Sequence, residues 1–279
     1  MADNFQLFTS LRYDPTLLVN NQPGCCGWNS KQRSAFYMLD YHRDRMLRAA
    51  TYWGWEKAIA AIEGPEGLAR LESFLTQKIK PQSDDKPMRL KVLLSQQGDL
   101  GLESTHVPST TPANLFPQEL PAPDGSSSAL AETETHPGQL RLSPPYDIYL
   151  DAPLTQRSGY THYKTTKREM YDQARQRAGL KPTDATKEVL IVDETSGSIM
   201  EGSMTTPYFW RGGRWVTPPV SAKFSTDVGS GGQDGTTRRW ALEMGLAAEE
   251  EVKAQDVDEG EAVWLSNGVR GFVFGRMRR

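Results

Sequence analysis

Strand-like and helix-like apolar patterns alternate along this chain, and a proline-rich stretch separates them into two groups. Residues 101–145 hold eight of the 18 prolines and the run Asp124-Gly125-Ser126-Ser127-Ser128, with few large apolar side chains. Such a composition favours an irregular surface segment over packed secondary structure. We therefore predict two domains of mixed α+β or α/β architecture, with residues 101–145 as a flexible insertion.

The part before the insertion is predicted to form a small α/β domain. Apolar residues alternate with polar ones in its strand patterns and recur every three or four residues in its helix patterns. These patterns predict strands at residues 5–13, 35–39 and 88–95, and helices at residues 41–53 and 64–78. A further strand at 146–150 is expected to rejoin this domain, which then spans residues 1–150.

A second domain is predicted over residues 159–279, after a linker at 151–158 that contains Pro153. The pair Gly212-Gly213 lies between two short apolar runs and predicts a hairpin, because two adjacent glycines suit a two-residue turn. The remaining patterns predict strands at residues 188–193, 262–265 and 271–274, and helices at 166–178 and 236–244.

Charge and composition argue against several classes of function. The formal net charge is −3 and the basic residues are scattered, so a nucleic-acid binder is not expected. No run of about 18 apolar residues predicts a membrane span, and the first residues resemble neither a signal peptide nor a transit peptide. Cys25 and Cys26 are adjacent and are the only cysteines, so neither a disulfide nor a metal site is predicted, and a cytosolic location is expected.

Lys164 is the first candidate for covalent chemistry. Thr166 and Glu169 have the spacing of a capping box, which predicts a helix that begins at about Thr166. A lysine beside the positive end of a helix is disfavoured in its charged form, and a neutral lysine is the kind that forms Schiff bases. The segment taken alone also fits a surface lysine in a polar loop.

Other candidates become informative only in combination. The glycine-rich loop at 229–235 runs into a predicted helix at Thr236, an arrangement that suits an anion, although it matches neither a P-loop nor a dinucleotide fingerprint. Glu201 lies between two strand patterns, and Arg45 lies on a predicted helix. Ser266-Asn267-Gly268 fits a turn. A lysine, a carboxylate and several phosphate donors are together what pyridoxal phosphate requires.

Four segments resemble motifs of one family, the fold-type IV pyridoxal-phosphate enzymes. His42-x-x-Arg45-Met46 resembles a helix whose arginine binds the cofactor phosphate. Tyr163-Lys164-Thr165-Thr166-x-Arg168, with Tyr171, resembles the segment that supplies the Schiff-base lysine. Glu201-Gly202-Ser203 resembles the segment whose glutamate faces the pyridine nitrogen. Gly235-Thr236-Thr237-Arg238 is similar to a phosphate-binding turn.

The resemblance implies a small N-terminal α/β domain, a larger C-terminal pseudo-barrel domain and a homodimer. Within the family, the Lys-Thr-Thr-x-Arg pattern, the opening Phe8–Arg12 and the segment Ser266–Gly271 favour the 4-amino-4-deoxychorismate lyases, which release pyruvate and 4-aminobenzoate for folate synthesis. An aminotransferase acting on D-amino acids, branched-chain amino acids or R-amines is the alternative. A protein that binds the cofactor without turnover is a third reading.

The resemblance also assigns roles to single residues. Lys164 is the implied catalytic residue, Glu201 is implied to bind the pyridine nitrogen, and the implied phosphate ligands are Arg45, Thr236, Thr237, Ser266 and Asn267. Two departures from the lyase pattern are Lys167, in place of asparagine, and Ser95-Gln96-Gln97-Gly98, which lacks an arginine that reads the substrate carboxylate in bacterial members. The candidates for binding the substrate carboxylate in this chain are Arg12, Arg168 and Arg270.

Overall fold

Two compact units make up the protein. The computed structural model describes residues 5–19, 33–79, 86–123, 140, 144–181 and 183–279, and Cys25 and Cys26 lie outside these ranges. The first unit consists of Met1–Thr110 and Tyr163–Lys167, and the second of Thr111–His162 and Arg168–Arg279. The predicted mixture of helices and strands is confirmed. Within the described ranges, none of the helices has the length and apolar character needed to cross a membrane.

In its described residues, the first unit combines a three-stranded antiparallel sheet with three α-helices. Its elements are β1 (Leu7–Tyr13), α1 (Leu39–Tyr52), α2 (Glu56–Ile62), α3 (Gly64–Ile79), β2 (Met88–Leu94) and β3 (Leu100–His106), with a short 3-10 helix at Pro15–Leu18. β2 lies in the centre and pairs with both β1 and β3. Apolar and polar residues alternate along β2, and this pattern explains which face it buries. Leu90, Val92 and Leu94 are fully buried on one face, while the residues between them are partly exposed.

Two predictions for this part of the chain are wrong. Residues 35–39 do not form a strand, because pairing with β1 is limited to a single bridge between Tyr13 and Phe36 and the chain enters α1 at Leu39. The predicted insertion begins with β3, which pairs with β2 from Leu100 opposite Leu94 to His106 opposite Met88. β3 thereby covers an edge of β2 that would otherwise expose unpaired backbone groups. The proline-rich composition of residues 101–145 gives no sign of this pairing.

The second unit is built around an eight-stranded sheet. Its elements are α4 (Pro112–Leu115), β4 (Tyr146–Leu150), α5 (Gly159–His162), α6 (Glu169–Arg177), β5 (Lys187–Val192), β6 (Ile199–Gly202), β7 (Thr206–Arg211), β8 (Arg214–Thr217), α7 (Thr236–Glu243), β9 (Ala248–Glu249), β10 (Ala262–Asn267) and β11 (Gly271–Arg278). The strand order is β6-β5-β4-β11-β10-β7-β8-β9, and parallel and antiparallel pairs are mixed. The sheet curls into a half-barrel.

β4 lies in this sheet and not in the first unit, so the prediction that it rejoins the first domain is wrong. It pairs in parallel with β11 on one side and with β5 on the other. Tyr146 and Ile148 are buried in an apolar cluster with residues of these neighbouring strands, and that burial explains the pairing. The predicted linker also packs onto the second unit, since Thr155 N donates to Val192 O at 2.7 Å.

The described proline-rich residues after β3 are packed as well. Leu115, Phe116 and Leu120 are buried, and Trp215 donates its indole hydrogen bond to Leu120 O at 2.8 Å. Asn114 donates from its amide to Phe272 O at 2.7 Å. Residues 111–123 are therefore part of the second unit, and the prediction of a flexible insertion is wrong for them.

The hairpin prediction is confirmed. β7 and β8 pair antiparallel from Phe209 opposite Val216 to Arg211 opposite Arg214. Gly212 and Gly213 form the turn with φ values of 56° and 80°. Both are in the left-handed region, where glycine is favoured because it has no Cβ.

Candidate active site

Lys164 lies in an extended segment that is attached to β1. Phe8 N donates to Lys164 O at 3.1 Å, Thr166 N donates to Gln6 O at 2.9 Å, and Thr165 forms a bridge with Leu7. The Lys164 ammonium lies 4.9 Å from the centre of the Phe8 ring, within the range of a cation–π interaction. The lysine is therefore held by main-chain bonds on a strand and does not sit in a loose surface loop.

The helix predicted from Thr166 begins later than expected. α6 starts at Glu169, its N-cap is Arg168, and no side chain caps it. The Thr166 hydroxyl instead accepts a hydrogen bond from Gln6 N at 3.0 Å. The capping-box prediction is wrong because the Thr166 side chain bonds to Gln6, next to β1, and does not cap α6. Lys164 therefore does not directly precede a helix, so a helix dipole gives no reason to expect its neutral form.

Arg45 reaches β1 from α1 through a chain of hydrogen bonds. Its Nη2 donates to Thr9 Oγ1 at 2.5 Å, and Thr9 Oγ1 lies 2.6 Å from His42 Nδ1. Arginine only donates, so Thr9 Oγ1 is the acceptor of the Arg45 bond. Burial, followed by the charges of Arg45 and Lys164, lowers the pKa of His42 well below its usual value. The unit thus presents two cations close to an uncharged imidazole.

Glu201 is a buried carboxylate on β6 with a short hydrogen bond. Tyr171 Oη lies 2.5 Å from Glu201 Oε1, and Gln233 Nε2 donates to the same phenol at 3.2 Å. The phenol is also 3.1 Å from Thr161 O. Burial, together with the charge and hydrogen bond of Glu201, raises the pKa of Tyr171 well above its usual value. Tyr171 therefore stays protonated and donates a charge-assisted bond to Glu201.

A second buried carboxylate shapes the turn that follows Glu201. Glu188 accepts from Ser203 Oγ at 2.5 Å and from Thr205 Oγ1 at 2.8 Å. Gly202 fits between them only because it lacks a side chain, since a Cβ there would lie 2.5 Å from Thr205 Oγ1. Glu188 carries no motif that marks it in the sequence, although its carboxylate fixes this turn.

The glycine-rich loop packs against the strand that carries Glu201. A Cβ on Gly232 would lie 2.5 Å from Met200 O, so a glycine is required for the loop to approach β6 this closely. Arg157 Nη1 donates to Gly229 O at 2.6 Å and its Nη2 donates to Asp193 Oδ2 at 2.9 Å. The loop is therefore packed on β6 at Gly232 and is tied through Arg157 to Asp193, directly after β5.

The first turn of α7 has the chemistry of an anion site. Its N-cap is Gly235, no side chain caps the helix, and Thr236 and Thr237 are buried. Thr237 Oγ1 lies 2.7 Å from Ser266 Oγ, on β10. Helix N-termini with hydroxyl groups beside them bind phosphates. Three of the five predicted phosphate ligands, Thr236, Thr237 and Ser266, therefore lie in the second unit close to one another.

The Asn267 side chain, unlike that of Ser266, bonds to backbone groups of the next turn. Its Oδ1 accepts from Val269 N at 3.0 Å and from Arg270 N at 2.9 Å, so the side chain stabilises the turn between β10 and β11. Arg270 donates to Tyr146 Oη at 2.9 Å and to Ala185 O at 3.1 Å. Both residues support the scaffold in this structure.

The other two arginine candidates differ in exposure. Arg12 is only 1% exposed and donates to Asp14 at 2.8 Å and to Pro108 O at 3.0 Å. Arg168 is partly exposed and its guanidinium lies 5.5 Å from the centre of the Tyr171 ring. Of the three candidates, Arg168 is the one placed beside a residue that binds Glu201.

Each unit holds groups whose chemistry fits part of pyridoxal phosphate. The first unit has an amine and a guanidinium, from Lys164 and Arg45, which suit an aldehyde and a phosphate. The second unit has the buried carboxylate of Glu201, which suits a pyridine nitrogen, and the hydroxyls at the start of α7, which suit a phosphate. Sequence reasoning missed the partners that orient them, among them Gln233; Tyr171 was visible only as one position of the lysine motif.

Comparisons with known proteins agree on a family. A family model described as amino-transferase class IV matches residues 27–276. Aminodeoxychorismate lyase of Saccharomyces cerevisiae is 26% identical over 261 residues, and the match covers 87% of this chain and 68% of the yeast protein.

Solved structures share the fold over nearly the whole chain. A provisionally named amino-acid aminotransferase from Mesorhizobium loti has a TM-score of 0.63 at 19% identity, and the match covers 99% of this chain and 100% of that one. A provisionally named 4-amino-4-deoxychorismate lyase from Legionella pneumophila has a TM-score of 0.60 at 13% identity, with 98% and 82% covered. At these identities the likeness shows the fold alone.

Proposed function

Because the chain belongs to the amino-transferase class IV family, we propose that it is a lyase that cleaves 4-amino-4-deoxychorismate to 4-aminobenzoate and pyruvate. Its cofactor is pyridoxal phosphate. The observation that carries the proposed reaction is the similarity to the yeast aminodeoxychorismate lyase over 87% of this chain. The motif around Lys164 supports the same branch of the family.

Lys164 is the proposed covalent attachment and base. When bound, pyridoxal phosphate joins its aldehyde to an amine and draws electrons from the neighbouring carbon into its ring. Lys164 Nζ would hold the resting cofactor and would act as the base that takes the proton from the carbon bearing the substrate amine. The carbon–oxygen bond to the enolpyruvyl group then breaks. That group leaves as pyruvate after it takes up a proton, and the remaining ring becomes aromatic.

The other residues bind and orient. We assign Arg45, Thr236 and Thr237 to the phosphate and Glu201 to the pyridine nitrogen, where its negative charge keeps the proton on the ring. Tyr171 orients the Glu201 carboxylate through the 2.5 Å hydrogen bond to Oε1. Ser266 supports Thr237, and Asn267 serves the turn beside it.

Arg168 is our proposed reader of a substrate carboxylate. It is partly exposed, lies against the ring of Tyr171 and pairs with the exposed carboxylate of Asp172 at 2.9 Å. Arg12, by contrast, is buried against Asp14, and Arg270 donates to Tyr146. A guanidinium suits this role because it pairs with a carboxylate through two parallel hydrogen bonds.

The test separates a lyase from an aminotransferase, the runner-up activity. The purified protein is incubated with 4-amino-4-deoxychorismate and no keto acid, and 4-aminobenzoate fluorescence and pyruvate are followed. Equal amounts of both products support the proposal. If these products are absent, and amino donors are converted to keto acids with 2-oxoglutarate as acceptor, the aminotransferase reading replaces it.

We also propose a homodimer in the cytosol, on the resemblance to the family. Light scattering of the purified protein measures its mass in solution. A mass near 62 kDa, twice the 31.2 kDa of the chain, supports the dimer, and a mass equal to one chain contradicts it.

A further inference from the structure

Three buried hydroxyl groups form a continuous row in the second unit. Tyr208 Oη, on β7, lies 2.8 Å from Ser266 Oγ, on β10. Ser266 Oγ lies 2.7 Å from Thr237 Oγ1, in the first turn of α7. All three residues are at most 1% exposed. The row thus connects the interior of the sheet to the start of the helix.

Counting protons shows that the row is incomplete by itself. Three hydroxyls carry three protons, but only two hydrogen bonds join the three oxygens. Among the residues that the structure describes, these side chains have no further hydrogen-bond partner. Among the described residues, one buried O–H of the row therefore has no acceptor, and a buried donor without an acceptor destabilises the fold. A ligand with an acceptor oxygen at the end of the row removes that destabilisation.

The chemistry of the three groups sets the direction of the row. A phenol is a stronger acid than an aliphatic hydroxyl, so it is the better donor and the poorer acceptor. Burial raises the pKa of Tyr208, so the phenol keeps its proton. This order of acidity favours Tyr208 as the donor to Ser266 and Ser266 as the donor to Thr237. The proton left over is that of Thr237.

The free end of the row lies where an anion is attracted. Thr237 is the second residue of α7, whose N-cap is Gly235 and whose first turn no side chain caps. The positive end of the helix and the Thr237 proton therefore favour the same ligand, a phosphate. At the opposite end of the row, Tyr208 packs against the Phe272 ring at 5.8 Å.

We propose that Tyr208 is a positioning residue: it fixes the direction of the hydroxyl row so that Thr237 donates to the cofactor phosphate. This rests on the proposed function, because it assumes that Thr237 is a phosphate ligand. Tyr208 touches no reacting atom and acts only through Ser266.

The first test compares two ligands that differ only in the phosphate. The full-length chain, freed of cofactor, is titrated with pyridoxal phosphate and with pyridoxal. Tyr208→Phe keeps the ring and removes the donor, so it should weaken pyridoxal phosphate about three- to tenfold and pyridoxal by less than about twofold. Tyr171→Phe is the matched control, since it removes another buried phenol that contacts Glu201, and it should weaken both ligands equally. Equal losses for both ligands in Tyr208→Phe overturn the proposal.

The second test asks whether Tyr208 acts through Ser266. Ser266→Ala breaks the row in the middle and should show the same selective loss for the phosphorylated ligand. Adding Tyr208→Phe to Ser266→Ala should then cause no further loss, because the two changes interrupt one pathway. Additive losses contradict the proposal. If Tyr208→Phe does not fold, Ser266→Ala decides the question. The proposal is overturned if the ratio of the affinities for pyridoxal phosphate and pyridoxal is the same in Ser266→Ala as in the wild type.

The outcomes separate this proposal from the proposed function. If the wild-type chain binds neither ligand, both fail. If the wild-type chain prefers pyridoxal phosphate and cleaves 4-amino-4-deoxychorismate, while Tyr208→Phe keeps the wild-type preference, only the positioning role of Tyr208 is overturned.

Discussion

Replacing Tyr171 with phenylalanine removes one oxygen atom from the buried interior and leaves the ring in place. That oxygen is 2.5 Å from Glu201 Oε1 and accepts from Gln233 Nε2 at 3.2 Å. A hydrogen bond to a charged group contributes about 1.5–3 kcal/mol, about twice the value of a neutral one. We therefore expect Tyr171→Phe to lower the free energy of unfolding by about 2–3 kcal/mol.

Tyr208→Phe provides the comparison, because it removes an equally buried phenol whose partner is the neutral hydroxyl of Ser266. It should cost about 1 kcal/mol. Urea unfolding is followed by tryptophan fluorescence on cofactor-free protein, so that bound ligand does not add stability. The raised pKa of Tyr171 predicts that the difference between the variants persists from about pH 7 to pH 9. Equal costs for the two variants would refute the charge-assisted bond to Glu201.

Three further changes test other parts of the site. Gly232→Ala places a Cβ 2.5 Å from Met200 O, so urea unfolding should show a loss of about 1–3 kcal/mol, and wild-type stability contradicts the close approach of the loop. Burial tends to raise the pKa of Asp193, but hydrogen bonds from Arg157 and Ser196 outweigh it and hold the pKa below its ordinary value of 3.8. The ionised Asp193 therefore stabilises the fold above pH 3.8, and this stabilisation is lost as the pH falls through the lowered pKa. Asp193→Asn should flatten the acid side of a plot of the free energy of unfolding against pH, and an unchanged plot contradicts this. Arg168→Gln should raise KM about tenfold with little change in kcat in steady-state kinetics, and a loss confined to kcat contradicts its role as carboxylate reader.

Elements whose pattern is local were predicted correctly from the sequence. α1 and α3 follow from apolar residues at helical spacing, and the hairpin of β7 and β8 follows from Gly212-Gly213. The class of mixed helices and strands also follows from these local patterns. Each of these features is decided within about twenty residues of chain, so no tertiary partner is needed to recognise it.

Elements that depend on distant partners were not predictable in the same way. β4 belongs to the sheet of the second unit because β5 and β11 flank it. Thr166 bonds to Gln6, 160 residues away, and so does not cap the helix that its spacing predicts. Local patterns cannot weigh such pairings, because the competing interaction lies outside the window that is read.

The candidate site also contains residues that local patterns identify and residues that depend on distant partners. Residue type and motif were enough to select Lys164 and Glu201. Tyr171 donates to Glu201 and Gln233 donates to Tyr171, and these side chains come from other segments that meet only in the folded chain. Arg12 is the reverse case, since its place in the sequence suggested a ligand contact but its side chain is buried against Asp14.

The central claim is that Lys164 carries the cofactor. The most direct measurement is borohydride reduction of the protein loaded with pyridoxal phosphate, followed by digestion and peptide mass mapping. We predict a stable phosphopyridoxyl group on Lys164 and none in a Lys164→Ala variant. A label on another lysine, or none on any, contradicts the account.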